Sequence, residues 1–332
     1  MIDKIPILSR EQWLELRRGD ITASDIAAIC GASPYRSAAR VWAEKRGLVP
    51  PQEMTDAMRR GLWGEAAVFE ALAHEHPDWT IRRAKVYLRD TEAGIGATPD
   101  GVAMVPGIDG VVIIQAKVVA APVFMRDWAC GDGSVDDVDA RAPLHYQLQT
   151  LTEMRLADAS RGVLAVLVTD TYQWVLREFL IDRHAEAEDA IWRRAREFRQ
   201  TYLSSDEPPP FQPRLDGDLL PAIYPIDDGT TVDLTGDNAL PHLVAERDEI
   251  KARMKADKER LDEIEAEIRA KLGSHTYATL ADGRMIALKT QHRKSYVVPE
   301  TTFRVLRIIA GGKDAKEAAD DAPGRARKKS AR

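Results

Sequence analysis

The stretch from Gly96 to Val119, GATPDGVAMVPGIDGVVIIQAKVV, constrains this chain most tightly. Two apolar β-like segments flank a Gly- and Asp-rich turn, which predicts a hairpin with its polar residues gathered at one end. Asp100 follows Pro99 in the first segment, and Gln115 and Lys117 sit two apart in the second. Side chains alternate along a strand, so Gln115 and Lys117 share a face while Ala116 turns into the core. A phosphodiesterase needs Mg²⁺ held by oxygen atoms, because the ion polarises the phosphoryl oxygen and lowers the pKa of the attacking water. Asp100 offers a carboxylate, Gln115 an amide oxygen and Ala116 a backbone carbonyl. Lys117 suits the orientation of water or the neutralisation of developing charge. The bland alternative stays open, since a D…QxK pattern also occurs in strand pairs without any catalytic role.

The surrounding chain predicts an α/β fold. Ser9 with Gln12 starts a short helix, Ser24 lies at the start of a second, and Ser37 caps a third that closes at Gly47. Thr55 opens a longer helix toward Pro77 that carries Glu65, flanked by Gly61 and Gly64, which would allow close backbone approach. Strands are expected over 79–88, 94–104, 110–119, 162–169 and 172–181, with helices over 143–157 and 183–203. That order indicates a mixed central sheet flanked by helices. The Pro- and acid-rich segment SDEPPPFQPRLDGD, 205–218, reads as a linker after a first domain of residues 1–204. An accessory region over 219–310 follows, with a helix at 239–272 and a hairpin turning at Asp282-Gly283. The tail from 311 to 332, basic at its end, reads as disordered.

Bulk properties exclude several classes. No apolar run nears the roughly 20 residues that span a bilayer, and the start MIDKIPILSREQ lacks a signal-peptide core. Cys30 and Cys130 match no metal spacing, which suits a reducing cytoplasm and excludes a four-thiolate cluster. A net charge of -6 opposes nonspecific coating of nucleic acid yet permits a locally basic groove. There is no P-loop, His74-Glu75-His76 is not HExxH, and the acids of 132–139 lack EF-hand spacing.

Four motifs in order resemble one family: WLELRRGDITASDIAAICGASPY, then Gly61 to Glu65, then TPDG with the QAK strand, then HYQLQ at 145–149. Residues 10–200 are similar to the YqaJ-like viral recombinases, the group of PD-(D/E)XK nucleases that includes phage lambda exonuclease. The resemblance implies a restriction-endonuclease-like core with Asp100 and residue 115 as metal ligands. It makes Lys117 the catalytic lysine, Glu65 an added acid serving a second metal or its water, and Gln147 a neighbour of the active site. It also implies that Arg17 and Ser24 bind a DNA 5′-phosphate, which fits an Arg fork beside a helix-start hydroxyl. The bland readings are a surface arginine and a helix N-cap.

The expected activity is Mg²⁺-dependent digestion of linear duplex DNA from 5′ ends, with Mn²⁺ as a substitute, in a bacterial or phage-infected cytoplasm. A ring-like homo-oligomer such as a trimer and a single-strand annealing partner are implied in the same way. One departure stands out, because the family's second acid is Gln115 here, and an amide keeps the shape without the charge. A natural QxK enzyme, an engineered Glu→Gln form and a binder that has lost catalysis are three competing readings. A DNA-end-binding scaffold and a structure-specific or restriction endonuclease are the alternatives to the exonuclease.

Overall fold

The computed structural model describes residues 2–50, 53–128, 130–295 and 300–309. An edge strand not expected from the sequence, β1 (Ile2–Pro6), precedes helix α1 (Arg10–Gly19). The Ser9 hydroxyl accepts the Gln12 N–H at 3.1 Å, while Gln12 accepts from Leu8 rather than closing a box on Ser9. After β2 (Ile21–Thr22), α2 (Ala23–Ile29) opens in a capping box between Thr22 and Asp25. Helix α3 (Ala38–Lys45) is capped by Ser37, and α4 (Asp56–Glu75) by Thr55, as the sequence predicts.

Two of the predicted strands are each split. Residues 79–88 contain β3 (Thr80–Arg83) and the start of β4 (Val86–Asp90), and residues 94–104 contain β5 (Ile95–Ala97) and β6 (Gly101–Met104). The halves join different sheets: β1-β4-β5-β2 on one hand, and on the other β3-β6 continued by β7 (Val112–Ala120), β8 (Arg161–Thr169) and β9 (Trp174–Asp182). Pro99 explains the second break. It has no N–H to give a ladder and fixes its own φ, so the chain changes sheet across Thr98-Pro99-Asp100.

Strand β7 runs antiparallel to β6 and parallel to β8. The parallel crossover holds α5 (Ala121–Asp127) and α6 (Leu144–Ala157), and α7 (Ala185–Phe198) follows β9, continuing as a wider turn through Leu203. Both faces of β7 are covered, which is why it reads as a nearly unbroken apolar run. Val112, Ile114 and Ala116 pack with Val68, Phe69 and Leu72 of α4, whereas Ile113 packs with Leu151 and Met154 of α6. Each such large aliphatic side chain contributes roughly 1.5–3 kcal/mol on burial. Gly64 lets α4 approach, since a Cβ there would meet Val118 at 2.7 Å, while Gly61 has open space around it and plays no such part. This is the mixed α/β core, a mixed central sheet flanked by helices, that the sequence indicates.

The segment expected as a linker at 205–218 packs on the core instead. Helix α8 (Pro213–Asp216) buries Asp216, which accepts from the Ser37 hydroxyl at 2.5 Å and the Gln212 N–H at 2.6 Å. Leu219 is buried just before α9 (Leu220–Ile223), so the first compact unit runs to Ile223 and a second starts at Tyr224. Proline stops a helix, but it does not prevent side chains from docking.

In the second unit α10 (Leu240–Leu272) is followed by a hairpin of β10 (Tyr277–Thr279) and β11 (Met285–Ala287), with Gly283 at φ +84° in the turn. The predicted seam of Leu243, Ile250, Met254, Leu261, Ile264 and Ile268 is exposed. Ion pairs one turn apart, Lys258 with Asp262 and Arg269 with Glu265, support the helix surface. The tail expected at 311–332 lies outside the described residues. Among the described residues no helix is long and apolar enough to cross a membrane.

Candidate active site

The break between β5 and β6 sets the site. Gly101 pairs with Ile114, which brings Asp100 level with Gln115 on the neighbouring strand. One carboxylate oxygen of Asp100, Oδ2, accepts from Gln115 Nε2 at 2.5 Å and from the Ala116 backbone N–H at 2.8 Å. Lys117 Nζ stands 3.9 Å from the same oxygen. Asp100, Gln115 and Lys117 therefore converge as their strand positions predict. A strand residue's N–H and C=O point to the same edge, so the Ala116 carbonyl faces the Asp100 side as well.

Glu65 on α4 is near this group. Its carboxylate is bonded to Arg83 of β3. Burial pushes its carboxyl above the ordinary range and the Asp100 charge adds to this, against the opposing pull of Arg83 and Lys117. Arg83 also lies 4.8 Å over the Phe69 ring, which fixes the guanidinium between helix and sheet.

Helix α6 covers the other face. Lys117 Nζ lies 5.5 Å from the Tyr146 ring centre. Gln147, expected beside the catalytic residues, donates instead to the Ala142 carbonyl at 2.6 Å across the helix start. The amide that meets the strand is that of Gln149, whose Nε2 donates to Gln115 Oε1 at 3.1 Å and to Glu153 Oε1 at 3.0 Å. Glu153 is buried, and its other oxygen, Oε2, has no hydrogen-bond partner. Burial holds its carboxyl well above the usual range, with the Asp100 charge pushing the same way. The sequence signal for this pair is the four-residue spacing of Gln149 and Glu153, which puts both on one helix face.

Among the described residues no three His, Cys, Asp or Glu side chains already converge on a point. The carboxyl groups of Asp100, Glu65 and Glu153 are each held by a different partner: Gln115, Arg83 and Gln149. Asp100 Oδ and the Ala116 carbonyl are hard oxygen donors that fit a divalent cation of the Mg²⁺ type, whereas Gln115 turns its Nε2 to Asp100 and its Oε1 to Gln149. The unpartnered buried oxygen of Glu153 agrees with a site that has donors to spare.

Arg17 and Ser24 also come together, with Arg17 donating to the Ser24 hydroxyl at 3.1 Å. Arg17 borders a cleft of about 530 Å³ with Thr22, Asp25, Arg36 and Lys45. The Arg17 guanidinium stacks 4.6 Å from the Trp13 ring, and the Trp13 indole N–H donates to Thr98 Oγ1 at 3.0 Å. Deep in the cleft Asp25 takes Arg36 at 2.9 Å and Lys45 at 3.0 Å. Burial alone would raise this carboxyl, yet Lys45, Arg36 and the Thr22 hydrogen bonds overcome that and hold it well below the carboxylate range. Arg17 is left facing the cleft without an acidic partner within ion-pair distance among the described residues.

Similar solved structures include an alkaline exonuclease from Laribacter hongkongensis, 20% identical, covering 58% of this chain and 93% of its own, TM-score 0.44. A phage-related exonuclease from Haemophilus somnus 129PT is 16% identical over 56% of this chain and 94% of its own, TM-score 0.42. A putative exonuclease from Eubacterium rectale is 12% identical over 70% and 98%, TM-score 0.44. No curated protein matches the chain. The model of the YqaJ-like viral recombinase domain matches residues 12–160, a span that holds Arg17, Ser24, Glu65, Asp100, Gln115, Lys117 and Glu153.

Proposed function

We propose that the chain is a metal-dependent deoxyribonuclease of the lambda-exonuclease type, acting 5′ to 3′ on linear duplex DNA and leaving 3′ single strands for recombination. The observation that carries this reading is the convergence of Gln115, the Ala116 N–H and Lys117 on Asp100 inside a YqaJ-like domain. Asp100 and the Ala116 carbonyl would hold Mg²⁺, or Mn²⁺ in its place, joined by Gln115 Oε1 once its amide turns over from Gln149. Such an ion polarises the phosphoryl oxygen and makes its bound water a stronger acid. Lys117 Nζ orients the attacking water and balances charge as the phosphate bond breaks. Glu65 adds a second acidic group, and Gln147 steadies the start of the covering helix. Arg17 and Ser24 receive the terminal 5′-phosphate as a guanidinium and hydroxyl pair. The first unit is the nuclease, and the region after it serves assembly or partner docking. A homo-oligomer such as a trimer and a single-strand annealing partner in a bacterial or phage-infected cytoplasm complete the proposal.

The test is digestion of end-labelled linear duplex with Mg²⁺, by this chain and by its Gln115→Glu form. Mononucleotide release from the 5′ end and sparing of covalently closed circles support the reading. Cutting of closed circles would make the protein an endonuclease instead. A second reading, a DNA-end-binding scaffold, draws on the Gln115 amide nitrogen that faces Asp100. It predicts end binding with no turnover in either form.

A further inference from the structure

Gln115 leaves the centre at Asp100 one negative charge short, and its amide shows Asp100 a donor rather than a lone pair. A hard cation site built on one carboxylate, one amide and one carbonyl is weak, because affinity for such ions rises with the number of charged oxygens. The fold supplies a further carboxyl close by. Glu153 and Gln115 share a single amide nitrogen, that of Gln149, so the acid and the strand amide stand on either side of one side chain.

The environment of Glu153 is costly for a carboxyl. The residue is 1% exposed and one of its oxygens is unsatisfied. An apolar side chain would fill such a place without an unpaired atom. Glu65 is a poorer candidate for the missing charge, since Arg83 neutralises it by direct contact. Glu153 touches no cation, while Asp100, Lys117 and Arg17 are the charges that reach it. A ligand supported by outer hydrogen bonds is a recurring feature of metal sites, where the supporting group tunes the ligand's orientation and charge.

We propose that Glu153 is the displaced second acid of this site, a carboxyl carried by helix α6 that releases its proton to solvent as a divalent cation binds at Asp100 and then supplies, through Gln149 and Gln115, the negative charge missing from strand β7. It rests on the nuclease reading above. Glu153 is thus a positioning residue, acting through two amides on the group that meets the cation.

Calorimetric titration of Mn²⁺ into the full chain without DNA tests this apart from activity. Glu153→Gln, which keeps the acceptor for Gln149, is expected to weaken binding by about tenfold or more. The exchange Gln115→Glu with Glu153→Gln should restore it, because the carboxylate returns to the strand. Gln115→Glu alone, with Glu153 untouched, should tighten binding by a similar factor and serves if Glu153→Gln fails to fold. Asp100-dependent binding that Glu153→Gln leaves unchanged would overturn the role of Glu153 alone. So would an exchange variant as weak as Glu153→Gln, or no gain from Gln115→Glu. Absence of any Asp100-dependent binding in the unaltered chain would overturn both this inference and the nuclease reading.

Discussion

Two buried carboxyl groups in the first unit, Asp25 and Glu153, have opposite surroundings. Asp25 lies among Arg36, Lys45 and the Thr22 hydroxyl, and these hold it ionised. Glu153 meets one amide and no cation, and burial pushes its carboxyl up. A charge matched on every side is scaffolding, because its energy is already committed to its neighbours. A carboxyl tied by amides to a second carboxylate is under-matched and remains able to respond to a cation.

The contrast can be broken from either end. Asp100→Asn, at the centre itself, should lower Mg²⁺-dependent digestion about 10³-fold, as removal of a main electrostatic group does, without loss of the folded state. A retained rate in a gel assay of linear duplex would move the chemistry elsewhere. Asp25→Asn should unfold the cleft end more easily, by about 3–5 kcal/mol, since Lys45 would keep its charge without an acidic partner and Arg36 would keep only Glu44. Chemical denaturation measures this, and a loss below about 1 kcal/mol would make Asp25 no more than a surface pair. Arg17→Ala should reduce use of 5′-phosphorylated ends about tenfold relative to 5′-hydroxyl ends, the value of one charge-assisted contact. Equal loss on both ends would remove the phosphate role.

The smallest effect is one of pH. Glu153 has a raised folded pKa, so its contribution to stability is full below the unfolded carboxyl pKa of about 4.3 and is lost as pH rises through the folded value. Asp25 has the opposite sign, losing its contribution only as pH falls below the ordinary carboxylate range. Thermal melts of Glu153→Gln should therefore fall less than those of the parent between weakly acidic and neutral pH. Parallel curves would show that Glu153 does not hold its proton in the fold.

Alternation puts Gln115 and Lys117 on one face, because a period of two leaves little choice once a strand is recognised, while Asp100 comes from the neighbouring segment and the roles of all three come from the resemblance. Helix α6 was harder. Gln147 and Gln149 are two residues apart, roughly 200° around a helix, so choosing between them requires knowing which face the sheet covers. Thr150, Thr152 and Glu153 are polar yet buried, and this hides the inward side of the helix from a reading based on hydrophobic spacing. The changes of sheet at 84–85 and 98–100 were likewise invisible as separate strands. Short apolar runs show that a strand exists without showing its partner. In the 205–218 segment, composition marked the loss of helix and said nothing of Asp216 reaching the Ser37 hydroxyl.

The indole of Trp13 has a consequence for stride. It stacks on Arg17 and bonds to Thr98, two residues before Asp100, so a stiff aromatic ring fastens the cleft to the strand break. If a strand end is seated at Arg17 and cut at Asp100, the interval between seat and blade is built into that ring. The length of each excised piece then belongs to the architecture, like the pitch of a screw.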